Sequence, residues 1–249
     1  MTINKIRNLI QKNNCEFVHL KKVKSTMDSI KEIIKKKNKN VILIADEQTE
    51  GRGRRGNKWI SPKGNIYCSI ALKNKIPLKN YFTFSILTII SIKKSLKEFG
   101  IKNIYFKWPN DIFFENKKFA GIILENFKIN NKNDYVIIGI GLNYMNSPQL
   151  LNYNSTFLKN FANINDKIDF LNNFFFQFFY YWQNYQSKKN YLYSQFKKSL
   201  MFLNKSIKIN IINDKNYIYG KFKGINRDGS LILDQGNKII NIYSGSIIL

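Results

Sequence analysis

The sequence predicts an α+β protein, a mixed β-sheet with helices followed by a small all-β module. Three observations carry this. Several short strands with hairpin signals between them crowd into residues 104–142. A long aromatic stripe at helical spacing occupies residues 166–189, and short alternating strands take over after Leu203. At 249 residues and 44% hydrophobic content, the chain can bury one sizeable core, or a main domain plus a small satellite.

Taken in order, Ser25 followed three residues later by Asp28, ahead of Ile30, Ile33 and Ile34, reads as a capping box that opens an amphipathic helix ending in the lysines near Lys37. Residues 41–45 form a short apolar strand and residues 65–72 another. Between them, residues 51–58 are too rich in glycine and charge for either element and read as a mobile loop. Residues 81–99, closed by Gly100, have the length and terminal glycine of a buried helix. Strands follow at 104–107, 112–114, 119–127 and 135–142, with turns at 115–117 and 130–133. Ile168, Leu171, Phe174, Phe175, Phe178, Phe179 and Trp182 lie on one helical face, which is the pattern of a core. Beyond a division near Met201, giving domains 1–200 and 201–249, turns at 213–215, 226–229 and 235–237 punctuate a barrel-like module.

The stretch from Met1 to His19 alternates charged and apolar residues, with no apolar run long enough for a signal peptide or a membrane span, so the expected compartment is the cytoplasm, with no membrane partner. The two cysteines, Cys15 and Cys68, stand far apart and the single histidine is His19, so no metal site is expected. A formal net charge of +25 would ordinarily point to nucleic acid. Here lysine supplies nearly all of it and is spread through the chain, which describes a solvated surface better than a binding stripe. Against that background one cluster stands out, because three of the five arginines, Arg52, Arg54 and Arg55, fall within residues 51–56. A planar cationic fork that grips carboxylate or phosphate in two-point fashion is wanted at this one place.

Four polar clusters sit beside expected strands. Ser25 and Thr26 precede the first helix. The string QTEGRGRRG, residues 48–56, combines glycines that permit close approach with guanidiniums that can envelop an anion, and its spacing is not that of a P-loop. In KWPND, residues 107–111, Pro109 interrupts strand pairing so that Asn110 and Asp111 project; Lys118, Ala120 and Gly121 follow on the next strand. In GIGLN, residues 139–143, two glycines within a buried strand mark a backbone against which something packs closely.

Together, GRGRRGxKWxSPxGN, KWPND, KKxAGIxxE and GIGxN, in this order and at these spacings, resemble the catalytic domain of bacterial biotin protein ligases, and the tail from Phe202 is similar to that family's SH3-like C-terminal domain. The resemblance runs from about Val23 to the C-terminus. It implies a class II synthetase-like fold, with biotin and ATP as substrates, Mg2+ accompanying ATP, and a biotin carboxyl carrier protein as the protein partner. Biotin would be held by Ser25, Thr26, Met27, Gln48, Arg52, Gly53, Arg54, Lys118 and Gly121. ATP or the adenylate would be held by Arg52, Trp59, Asn110, Asp111 and Asn143, and Lys118 and Arg54 would act at the reacting centre. Two departures stand out: Met27 replaces the asparagine of a Ser-Thr-Asn triplet, and Asn57 replaces a frequent arginine. The resemblance leaves room for a homodimer. Lipoate protein ligases share a related fold, and the GRGRRG and KWPND strings favour biotin over them. Relatives that also repress transcription carry a helix-turn-helix module, whereas some twenty residues precede Val23 here, too few for a three-helix DNA reader, so no sequence-specific DNA binding is expected.

Overall fold

The computed structural model describes residues 3–73, 76, 80–129, 133–148, 154–211 and 217–248. Two sheets organise it. The first has seven strands in the order β1-β2-β3-β7-β6-β5-β4. These are β1 Cys15–Val23, β2 Asn40–Gln48, β3 Ile66–Lys73, β4 Ile104–Lys107, β5 Asp111–Phe114, β6 Lys117–Ile129 and β7 Asn133–Leu142. The β1–β2 pair is parallel and the rest of the ladder is antiparallel, so the sheet is mixed.

Side-chain alternation along the central strands assigns the two faces. On β2, Val41, Leu43 and Ala45 join Ala71 of β3 and Tyr135 and Ile137 of β7 in a cluster beneath helix α2, Thr26–Lys37. The intervening residues, such as Ile42, Ile44, Ile70, Val136 and Ile138, face the larger core. That core is closed by α1 Ile3–Lys12, α3 Thr83–Glu98, α5 Lys167–Gln183 and α6 Tyr185–Lys197, with the short α4 Leu158–Phe161 near β6. Because helices cover both faces, the strands read as near-continuous apolar runs.

On the α2 face of β7 the sequence runs Tyr135, Ile137, Gly139, Gly141. Bulk falls away to nothing at the N-terminal end of α2, and this opens the cavity described below. A Cβ on Gly139 would stand 2.5 Å from the Met27 sulfur, and one on Gly141 would stand 2.5 Å from the Trp59 indole. Two side chains therefore lie directly on the strand backbone.

Several expectations need correction. The residues before Val23, for which no element was expected, form α1 and the edge strand β1. The stripe at 166–189 is broken at Asn184 into α5 and α6, and α5 starts where the Asp166 side chain accepts from the Ile168 amide at 2.9 Å. Ser25 occupies the N-cap of α2, but its side chain makes no capping bond and Asp28 instead pairs with Arg52 and Lys31. Residues 51–58 are not featureless: Arg52 and Lys58 form an antiparallel bridge around a 3-10 turn at Arg54–Gly56. The turn at 115–117 is present, with Glu115 at φ 52°. The expected turns at 130–133 and 213–215 fall outside the described residues, apart from Asn133 at the start of β7.

The second sheet is antiparallel, in the order β11-β10-β9-β8-β12, built from β8 Ser206–Asn210, β9 Tyr217–Ile225, β10 Leu231–Asp234, β11 Ile239–Ile242 and β12 Ser246–Ile248. It is seated firmly on the first. Ile207, Ile209, Phe222, Ile225, Leu231 and Leu233 belong to the same apolar cluster as α3 and α5. Buried Trp108 donates its indole N–H to the Gly229 carbonyl at 2.9 Å, and β4 is flanked by the segment leading into the second sheet, Phe106 donating to the Ser199 carbonyl and accepting from the Met201 amide.

The 226–229 turn sets up a test of this seating. Gly229 has φ +92°, and a Cβ there would stand 2.8 Å from the Phe82 ring, whereas Gly236 has φ +87° with nothing within 4 Å. Gly236→Ala is expected to cost about 1–2 kcal/mol for the left-handed backbone alone. Gly229→Ala should cost about 1–3 kcal/mol more through overpacking against Phe82. Urea unfolding of the two variants side by side would check the difference, and equal losses would mean that Phe82 yields freely.

Candidate active site

A cavity of about 650 Å³ opens on the α2 face beyond the glycines of β7, between the 51–58 loop, the Trp108–Asn110 turn and the start of β12. Its two ends differ in chemistry.

The first end is neutral. The Gln48 side-chain carbonyl accepts from the Thr26 amide at 2.8 Å and from the Thr26 hydroxyl at 3.0 Å, while its amide donates to Ser61 Oγ at 2.9 Å. Ser69 Oγ, fully buried on β3, donates to Thr26 Oγ1 at 2.9 Å, and Ser61 Oγ donates to the Trp59 carbonyl at 2.8 Å. This chain of uncharged groups fixes the end of β2, the start of α2 and the base of the loop relative to one another. Gly51 is required at the junction, because a Cβ there would stand 2.3 Å from the Trp59 carbonyl oxygen. Met27 and the bare backbone at Gly139 make the floor apolar beside these polar groups.

The second end is cationic. Lys118 Nζ lies 2.8 Å from Asp111 Oδ1 and 5.2 Å from the centre of the Trp59 ring. Lys118 is 8% exposed although its neighbour Lys117 is exposed to solvent. The cause is a register shift between β5 and β6: Ile112 pairs with Ala120 but Phe113 pairs with Lys118, which leaves Phe119 as an extra residue. A bulge re-aims the side chains on either side of it. Without the shift, Lys118 would share a face with Ala120 and Ile122, which lie in the main core. The Lys118 backbone is gripped as well, its amide donating to the Asn154 carbonyl at 2.9 Å and its carbonyl accepting from the Thr156 amide at 2.8 Å.

Arg54 is half-buried at the same end. Burial, with Arg55 adding to it, pulls its guanidinium below the usual arginine value, and Asp111 opposes the shift. Burial likewise lowers Lys107; Asp111 counteracts this and Lys118 reinforces it. One carboxylate thus faces three cations. Arginine stays charged through such a shift, so this end carries a positive excess that favours an anion. Arg52 differs from Arg54: its guanidinium is at the rim, 3.0 Å from Asp28 and 3.2 Å from Glu125.

Of the residues singled out from the sequence, Ser25, Thr26, Met27, Gln48, Arg52, Gly53, Arg54, Trp59, Asn110, Asp111, Lys118 and Gly121 all line the cavity. Asn143 is not among the lining residues. It is buried, and its amide donates to the Thr156 carbonyl at 3.2 Å, behind the segment that grips Lys118. Sequence reasoning missed Gly245 and Ser246, which bring the second sheet to the cavity. It also missed Lys107 as a member of the cationic group. The position of Lys107 in KWPND offered a signal for it; nothing local marked Gly245. Cys15 and Cys68 are free and buried in the main core, and burial pushes the Cys15 thiol up to about 12. No group of three or more His, Cys, Asp or Glu side chains able to hold a metal ion gathers among the described residues. No helix among them is long and apolar enough to cross a membrane.

Residues 19–143 match the biotin/lipoate A/B protein ligase family, and residues 202–249 match the biotin protein ligase C terminal domain. The chain is 29% identical over 217 residues to the bifunctional ligase/repressor BirA of Bacillus subtilis, covering 84% of this chain and 66% of the relative. It is 31% identical over 111 residues to the biotin--[acetyl-CoA-carboxylase] ligase of Paracoccus denitrificans, 43% of this chain and 45% of that protein. The chain therefore spans just under two thirds of the length of the first of these relatives and less than half of the second. Among solved structures, the biotin protein ligase of Aquifex aeolicus in complex with biotin and ATP superposes with a TM-score of 0.76 at 27% identity, over 93% of this chain and 97% of that one. With its family match and both sheets accounted for, the chain belongs to the biotin/lipoate A/B protein ligase family.

Proposed function

We propose that the protein is an ATP-dependent biotin protein ligase, which forms biotinyl-5'-AMP and passes biotin to a lysine of the biotin carboxyl carrier protein of acetyl-CoA carboxylase. The observation that carries this reading is the two-ended cavity. A neutral hydrogen-bonding slot with an apolar floor suits an uncharged ureido ring system, and the cationic end suits a carboxylate and a phosphate brought together.

In the proposed reaction a biotin carboxylate oxygen attacks the α-phosphorus of ATP and pyrophosphate leaves. The carrier lysine, as its free amine, then attacks the carbonyl of the mixed anhydride and AMP leaves. Two anions must approach, so the protein's task is to hold them and to stabilise the charge that builds on phosphate. Arg54 and Lys118 stand at the end where this would happen, and Trp59 offers a ring face. Asn143 serves as a positioning residue through Thr156. Magnesium would arrive as the ATP complex, held mainly by phosphate oxygens and water, with Asp111 the nearest carboxylate on the cavity wall. We place the enzyme in the cytoplasm, where its carrier would be found, and the domain division at Met201.

The founding experiment incubates the protein with biotin, labelled ATP and magnesium and looks for biotinyl-adenylate, then adds the carrier. Because the family also includes lipoate ligases, lipoate is run in parallel; preference for lipoate would replace the biotin reading.

Two variants separate the roles of the cations. Arg54→Ala should speed release of the adenylate roughly tenfold to a hundredfold, the range for one hydrogen bond to a charged group. Fold stability should hardly change, since the loop buries little. A filter assay of adenylate loss would decide, and a release rate equal to the parent's would remove Arg54 from the site.

Lys118→Gln should lower the single-turnover rate of adenylate formation about a hundredfold to a thousandfold, as when one preorganised donor to a developing charge is lost. Lys117→Gln, one residue away but solvated, should stay within about twofold, as surface substitutions do. If the two proved equally active, Lys118 would not be at the reacting centre.

A further inference from the structure

We propose that Arg55 is a positioning residue, a latch that ties the 51–58 loop to the second sheet and so determines how tightly the cavity closes. The identity of the ligand rests on the ligase reading above; the latch itself rests on geometry.

Arg55 sits at the tip of the loop with φ 59°, a conformation that costs an ordinary residue roughly 1–2 kcal/mol. Little in the loop compensates for this, since residues 54–58 are exposed or half-buried. What the conformation achieves is reach. The Arg55 guanidinium donates to Ser244 Oγ at 2.8 Å and to the Gly245 carbonyl at 3.5 Å, nearly two hundred residues further along the chain.

The target is rigid. Gly245 is buried between strands, where a Cβ would stand 2.9 Å from the Asn210 carbonyl and 3.4 Å from the Trp108 ring. Trp108 is itself bonded to Gly229 and belongs to the turn that carries Asn110 and Asp111. Arg55 therefore connects the exposed tip of the loop to a wall fixed on two sides.

The latch also orients its neighbour. Within the 3-10 turn Arg55 reaches along the cavity wall to the second sheet, and Arg54 lines the cavity within the electrostatic reach of Asp111. Two adjacent guanidiniums repel, and Arg55 contributes to the lowering at Arg54. Bonding Arg55 to neutral acceptors on the far side keeps the two charges apart, with Arg54 left for the ligand.

The test uses the full chain and four variants: Arg55→Ala, Arg55→Lys, Ser244→Ala and the double Arg55→Ala/Ser244→Ala. Two readouts are followed, the release rate of preformed biotinyl-adenylate and, without any ligand, the rate of tryptic cleavage after Lys58. Arg55→Ala and Ser244→Ala should each raise both rates roughly three- to tenfold, the range for one hydrogen bond. The double variant should be no faster than Arg55→Ala alone, and Arg55→Lys should restore most of the parent behaviour, which general destabilisation would not produce. Parent-like rates in Ser244→Ala, or effects that multiply in the double variant, would overturn the latch. If the parent formed no adenylate, the ligase reading would fall and the ligand-free cleavage rates would decide the latch alone.

Discussion

Lys118 and Asp111 meet at 2.8 Å under the Trp59 ring, and much of the surrounding architecture is what that contact requires. A lysine that is nearly inaccessible must keep a partner, because an ammonium stripped of water without one is expensive. The β6 bulge turns Lys118 to the cavity, the register of β5 brings Asp111 opposite Gly121, and Trp59 can lie over them only because positions 121 and 141 carry no side chain. Placing an alanine at 141 would put a methyl carbon 2.5 Å from the indole. One ion pair thus explains an irregular strand, two glycines and the direction of an aromatic ring.

The pair does not balance the site. With Arg54 and Lys107 close by, cationic charge exceeds the single carboxylate, and the molecule holds that excess where burial makes it costly. Such an arrangement is poor for stability and good for receiving anions, which would supply the missing charge. The nucleophile question points the same way. Both thiols are locked in the core on the opposite face of the sheet, and the one histidine is paired with Asp46 on β1 and β2, outside the cavity. Neither a thiol nor the imidazole is offered to the cavity, and what the site presents to a ligand is position and positive charge.

The strands of the first sheet from β2 onward were legible because their residues are β-branched and aromatic and their turns carry glycine, asparagine or proline. The N-terminal pair was not. Strand β1 lies at the edge with only Cys15 and Phe17 buried, so its sequence CEFVHLKKV shows too few apolar residues to stand out. Helix α1 is ten residues and buries Ile6 and Ile10 alone. The break at Asn184 was hidden because the apolar spacing continues across it into Leu192 and Phe196. At the site, the arginine cluster was legible by contrast with a lysine-rich background. Asn143 could not be placed from sequence, because a residue after a glycine-marked strand can face the cavity or lie behind it; in the structure its amide donates to the Thr156 carbonyl. The bulge at Phe119 depends on pairing with another strand and leaves no local mark.

The least legible part of the site lies in the second sheet. Ser244, Gly245 and Ser246 have no composition that marks a binding surface, and their place at the cavity follows from how the sheet docks. That docking is not loose. A shared apolar core, the Trp108 indole on Gly229, the Tyr193 hydroxyl on the Ile225 carbonyl and the main-chain bonds of Phe106 to Ser199 and Met201 hold it from several sides. Interfaces with this much common core move as one body, whereas small polar ones permit relative motion. The second sheet is therefore a fixed wall, and facing it stands the exposed tip of the 51–58 loop, joined to that wall by Arg55. How closely the cavity is enclosed on this side is then set by where the loop rests on the second sheet. A change at residues 244–246 would alter the surface on which the loop rests and, with it, a cavity wall of which Gly245 and Ser246 are part.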